Sequence, residues 1–211
     1  MALETSKNLG GIGAILIVIA FLGIFGSGFA GLLGLIGLIL LLIGAKGLAD
    51  HYGDQGIFNN ALYAIIAVIV GIVVAVGTVV ATALASLSDL GIDVNDWAGF
   101  DRNWARLIEN AVDPSAIFTL LGGIIIGLVI LFVFFVAAAF LYRKSLNTLA
   151  AKTGVGMFNT AGLILLIGAV LTIIVVGLVL VWVGFILVAV AFFSIKAASA
   201  ETPQATQPPP S

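Results

Sequence analysis

Residues 9–45 read LGGIGAILIVIAFLGIFGSGFAGLLGLIGLILLLIGA, 37 consecutive positions without a charged side chain. A helix crosses about 30 Å of hydrocarbon with about 20 apolar residues. The run is too long for one crossing and fits two joined by a tight turn. Gly26-Ser27-Gly28 is the expected turn, because glycine accepts positive φ and a serine hydroxyl bonds local backbone. Spans 9–25 and 29–46 follow. Residues 157–195 form a second uncharged run, of 39 positions, with the turn expected at Gly177 and spans at 159–176 and 178–195. Lys7, the apolar stretch and Gly26-Ser27-Gly28 also have the outline of a cleaved signal peptide. The direct continuation into a second apolar run favours a retained hairpin.

Working outward, the composition agrees. Of 211 residues, 62% are hydrophobic and only 9% charged, against roughly 25% charged in an ordinary soluble domain. Mean hydropathy is +1.30. A soluble globule could not cover such a chain with polar surface, and disorder is excluded outside the tail. There is no cysteine, so disulfides, thiolate metal sites and thiol redox chemistry are absent. A net charge of −2 without a basic run excludes a nucleic-acid surface.

Two further spans are expected at 58–85 and 115–142, the latter opening on Asp113-Pro114, a cap residue followed by proline at the first helical position. Between them, 86–113 is the long polar segment. Lys46 to Gln55 and Arg143 to Gly156 read as short polar loops, and 199–211 as a disordered Pro-rich tail. The expected fold is all-α: an integral membrane bundle of six transmembrane helices in three hairpins, with an extracellular amphipathic helix. The central spans are longer, about 42 Å against about 27 Å, and should tilt or project. Lys7, Lys46, Arg143, Lys144, Lys152 and Lys196 fall on one side and Arg102 and Arg106 on the other. That split predicts cytoplasmic termini.

The two loops on the basic side echo each other. Leu48-Ala49 followed by Gly56-Ile57-Phe58-Asn59-Asn60-Ala61 parallels Leu149-Ala150 followed by Gly156-Met157-Phe158-Asn159-Thr160-Ala161. Capping of helix starts by asparagine and internal duplication both account for this.

Few residues carry chemistry. No ionisable group lies near the centre of a span, which disfavours a proton or ion pump. Thr78, Thr82, Thr119 and Thr172 are expected to bond their own helices. His51, between Asp50 and Asp54, is too sparse a set for a metal site, and Asp50 should pair with Lys46. No catalytic constellation is found, so no enzyme and no cofactor is expected. Gly28, Gly31, Gly34, Gly37, Gly123 and Gly127 are candidate helix-packing positions, within the chain or between copies. In the outer segment Trp97, Phe100, Trp104, Leu107, Ile108 and Ala111 share one helical face. An interfacial helix, a docking face for a partner protein and a ligand-binding face all suit that pattern.

The stretches Ser6 to Gly13, Gly44 to Asp50, Ile57 to Ala61 and Gly184 to Lys196 resemble an archaeal and bacterial family of multi-pass membrane proteins known only as a domain of unknown function. The resemblance implies a prokaryotic plasma membrane and brings no activity or site residues. The role expected first is a structural or accessory component of a membrane complex, with lipid and other subunits or further copies as partners. The alternative is a facilitator for a small or apolar solute, by a path lined with threonine, glycine and backbone between spans 3 and 4 and their neighbours.

Overall fold

A computed structural model describes residues 2–23, 30–89, 114–174 and 176–196, the side chains of 88–89 and 114–117 apart. The described residues form six α-helices: α1 (Leu3–Gly23), α2 (Ala30–Tyr52), α3 (Gly56–Asp89), α4 (Pro114–Thr153), α5 (Met157–Val170) and α6 (Val176–Phe193), with a 3-10 turn over Leu171–Ile173. Five of them, α1, α2, α3, α4 and α6, are long and apolar enough to cross a membrane. The expected turn at Gly26-Ser27-Gly28, the expected outer helix with Trp97, Phe100, Trp104, Leu107 and Ile108, and the tail at 199–211 lie outside the described residues.

The two expected polar loops are mostly helix. Lys46 to Tyr52 continue α2, and Arg143 to Thr153 continue α4. Lysine, arginine, leucine and alanine are good helix formers, so a change to polar side chains does not end a helix. What ends these two is glycine in the left-handed conformation, Gly53 at φ 66° and Gly154 at φ 72°. Asp54 N–H then bonds the Ala49 carbonyl at 3.0 Å and Gly154 N–H the Ala150 carbonyl at 2.9 Å, closing both helix ends. Asparagine capping, one of the two explanations of the echo, is not seen among the described residues. Asn60 donates to the Gly56 carbonyl at 2.7 Å, and the Asp54 carboxylate accepts from Gly56 N–H at 3.0 Å.

Gly177 is also not the turn between the last two helices. The chain leaves α5 at the 3-10 turn and is extended at Ile174, while Gly177 sits buried in the first turn of α6. A Cβ there would collide with the backbone of Leu171 and Thr172, so glycine is required by the crossing chain.

The helices pack as antiparallel neighbours: α1 with α2, α3 with α4, α5 with α6, and then α1 with α6 and α4 with α5. The contact between α2 and α3 is the sparsest of the six that would complete a ring. Small residues set the close pairs. A Cβ on Gly37 would stand 2.7 Å from the Gly13 carbonyl oxygen, and one on Gly44 would stand 2.5 Å from the Gly10 nitrogen. On the other long hairpin, Gly123 meets Thr82 and Gly127 meets Val79. α3 has 34 residues and α4 has 40, about 51 and 60 Å at 1.5 Å per residue, while α1 has 21 and α6 has 18. The far ends of α3 and α4 pack on each other and leave Val80, Leu84 and Phe118 exposed.

Candidate functional site

The incomplete ring encloses a cavity of about 280 Å3 to which all six helices contribute. Each helix presents one face to it. On α3 this is Ala64, Ile65, Val68, Ile69 and Ile72, and on α4 it is Phe135, Ala138, Ala139 and Tyr142. These spacings are successive turns of one helical stripe. The floor is buried and is formed by Leu41, Ala64, Ala138, Leu165 and Val181. The mouth lies on the sparse α2–α3 side, where Leu35 of α2 is 60% exposed and Ile69 and Ile72 of α3 are 55% and 48% exposed. Alanines on facing helices create the room. Ala64 and Ala138 stand where a Leu or Ile would fill the interior.

The lining is apolar apart from one residue. Tyr142 stacks on Phe185 of α6, with ring centroids 6.2 Å apart. Its hydroxyl is enclosed and has no hydrogen-bond partner among the described residues. A buried hydroxyl left unpaired costs about 1–3 kcal/mol. Three residues on, the buried Ser145 hydroxyl donates to the Ile57 carbonyl at 2.6 Å, tying α4 to the start of α3. The cavity therefore offers dispersion contacts and three aromatic rings (Phe135, Tyr142, Phe185), with the Tyr142 hydroxyl enclosed behind its ring. No threonine or glycine lines it, which corrects the expected path of threonine, glycine and backbone. Thr78, Thr82 and Thr172 bond carbonyls of their own segments at 2.9, 2.8 and 2.7 Å.

Asp89 at the far end of α3 apart, the charged residues that are described gather at the end of the bundle beyond Tyr142. Lys46 pairs with Asp50 at 2.9 Å, and Gln55 bonds both. The hydrogen bonds from Lys46 and Gln55 hold the Asp50 carboxyl, past the apolar part of α2, below its ordinary value of 3.8. Lys152 reaches Asp54 at 3.5 Å, joining the two echoing loops. Lys7 pairs with Glu4 at 2.9 Å and donates to the Ile195 carbonyl, which fastens α1 to the end of α6. His51 and Tyr52 pack their rings in a T shape, and among the described residues no three His, Cys, Asp or Glu side chains come together as a metal site.

The candidate packing glycines divide. Gly37, Gly123 and Gly127 are at close helix crossings, Gly34 makes one ordinary contact with Ala20, and Gly31 faces open space. Gly28 and the aromatic positions Trp97, Phe100, Trp104, Leu107 and Ile108 are outside the described residues. Sequence reasoning passed over Tyr142, because only charged residues and threonines were weighed as polar span positions. The signal was present: a tyrosine follows the small-residue run Ala137-Ala138-Ala139 by one turn, in a span made mostly of Leu, Ile, Val, Phe, Ala and Gly.

Five of the six helices that build this cavity, α2 to α6, lie wholly or mostly within the family match, and α1 lies outside it. The DUF996 family of proteins of unknown function matches residues 33–186. The chain belongs to the DUF996 family. The match takes in the outer segment and stops short of the opening stretch Ser6 to Gly13 and of Phe192 to Lys196, so the resemblance read at those two ends lies outside it. The chain is also similar to the uncharacterized protein MJ1644 of Methanocaldococcus jannaschii, 25% identical over 178 residues and covering 84% of each chain. No solved structure matches the chain.

Proposed function

We propose that this DUF996 protein is a non-enzymatic, six-span protein of the prokaryotic plasma membrane that takes up a small apolar solute from the hydrocarbon layer. The termini and the loops near 50 and 150 face the cytoplasm, and α5 with its 3-10 turn makes the fifth crossing. The observation that carries this reading is the cavity itself, apolar on all its lining but Tyr142 and open sideways between α2 and α3. An apolar cavity of 150 Å3 stays dry and binds benzene, and this one is nearly twice as large. A side opening in a membrane bundle meets acyl chains, so an apolar solute enters without passing through water.

The test is photolabelling of the protein in liposomes with an alkyl diazirine. Labels on Leu41, Ala64 and Ala138, lost in an Ala138→Phe variant that fills the floor, support the reading. Labels confined to outward residues such as Val73 and Ile125 count against it.

A second reading, an accessory subunit of a membrane complex, has its own observation. The exposed apolar ends of α3 and α4 extend past the shorter helices and offer a face to another subunit or another copy. Purification in mild detergent followed by native mass spectrometry tests it, and a strictly monomeric particle weighs against it.

A further inference from the structure

We infer that the guest of this cavity is an amphiphile with an apolar chain and one hydrogen-bond-accepting oxygen, and that the Tyr142 hydroxyl holds that oxygen. The inference rests on the proposed uptake of an apolar solute and adds the chemistry of its polar end. Three observations carry it. The Tyr142 ring lines the cavity, and its enclosed hydroxyl lacks a partner among the described residues. The serine and threonine hydroxyls that follow it on α4 are all engaged: Ser145 bonds Ile57, Thr148 bonds Lys144 and Thr153 bonds Leu149. An unengaged donor beside an otherwise apolar space is the exception here, and buried polar groups are overwhelmingly paired.

The third observation is placement. Tyr142 directly precedes Arg143 and Lys144, so it stands at the basic end of the cavity, while the mouth residues Ile69 and Ile72 lie about two turns or more further along the bundle. A molecule that enters by the mouth with its chain trailing into the hydrocarbon brings its oxygen toward Tyr142. The hydroxyl is enclosed, so the oxygen reaches it as the phenol turns or neighbouring side chains move aside. The stacked pair Tyr142–Phe185 and the nearby Phe135 suit a flat ring as well as a chain. Two sources share this chemistry: the carbonyl of an alkylated quinone and the hydroxyl of a long-chain alcohol.

The experiment uses the full-length protein in liposomes, labelled by the alkyl diazirine in competition with decyl benzoquinone, decanol or n-decane at equal mole fraction in the bilayer. Against wild type, at least one oxygenated competitor is expected to displace the label at about tenfold lower mole fraction than n-decane, the ratio that about 1.4 kcal/mol gives. In Tyr142→Phe that advantage disappears while n-decane competes as before, which shows that the cavity is intact. Whichever oxygenated competitor shows the advantage identifies the source. An advantage that survives Tyr142→Phe overturns the inference, as does the absence of any advantage over n-decane. In both of those outcomes displacement by n-decane leaves the uptake reading standing. No cavity labelling at all would remove that reading together with this one.

Discussion

At the residue scale, α4 holds two hydroxyls one turn apart in opposite circumstances. Ser145 is fully engaged with the Ile57 carbonyl, and Tyr142 is enclosed without a partner. Removing a paired buried hydroxyl loses about 1 kcal/mol, while removing an unpaired one relieves a desolvation penalty. Ser145→Ala should therefore lower the unfolding midpoint of the detergent-solubilised protein, and Tyr142→Phe should leave it unchanged or raise it. Equal losses in both variants would mean that the tyrosine hydroxyl has a partner after all. Asp50 gives a pH-dependent case. Its carboxyl is held low by Lys46 and Gln55, so the contribution is present above the ordinary value of 3.8 and is lost as pH falls through the lower folded value. Asp50→Asn should thus flatten the acid limb of a stability-versus-pH curve, by a small amount because the group is exposed. The Lys46–Asp50 pair was legible in the sequence, since residues four apart on a helix are neighbours. The contrast between Ser145 and Tyr142 was not, because it depends on which carbonyl of another helix comes within reach.

At the element scale, hydropathy and charge locate helices well and their ends poorly. Pro114 does open α4, as proline at a first helical position should. The polar residues at 46–52 and 143–153 mark where apolar surface stops, whereas the helices stop at Gly53 and Gly154, where the backbone turns left-handed. In α5 and α6 every residue is apolar up to Ser194 apart from Thr160 and Thr172 and the lone Asn159, so nothing in the composition distinguishes the turn at Ile174 from Gly177. Glycine counting has the same limit, since a glycine stripe does not say which glycine faces a helix. Gly37 and Gly31 separate the two cases. A Cβ at Gly37 meets the Gly13 carbonyl oxygen at 2.7 Å and Ile17 nitrogen at 3.0 Å, and one at Gly31 meets nothing within 4 Å. Gly37→Ala should destabilise the α1–α2 hairpin by about 1–3 kcal/mol through overpacking. Gly31→Ala should be neutral or stabilising, since alanine favours helix over glycine. Thermal unfolding of both in one detergent checks the contrast, and a loss at Gly31 alone would reverse the assignment of the packing face.

At the scale of the whole molecule, the sequence predicts how helices pair better than it predicts what they enclose. Long uncharged runs imply hairpins, but a cavity arises from the mismatch of side-chain volumes across six helices, and no single span records that. Orientation is the global property that a linear reading can address. Lys7, Lys46 and Lys152 are joined to neighbouring chain ends and loops at one end of the bundle, by way of Ile195, Gln55 and Asp54. Arg143 and Lys144 lie on the same end of α4. Short loops rich in lysine and arginine stay in the cytoplasm. The proposal depends on α5, whose apolar helix and 3-10 turn cover only Met157–Ile173, at the short limit of about 17 residues for a crossing. The chain has no cysteine, so single substitutions Asn8→Cys, Asn103→Cys, Asn147→Cys and Ser199→Cys can be read without background. With a membrane-impermeant maleimide on intact cells, Asn103→Cys should label, and the other three should label only after permeabilisation. If Ser199→Cys labelled from outside while Asn8→Cys stayed protected, α5 would turn back within the bilayer. The molecule would then have five crossings, and the cavity mouth would have to be placed afresh relative to the two leaflets.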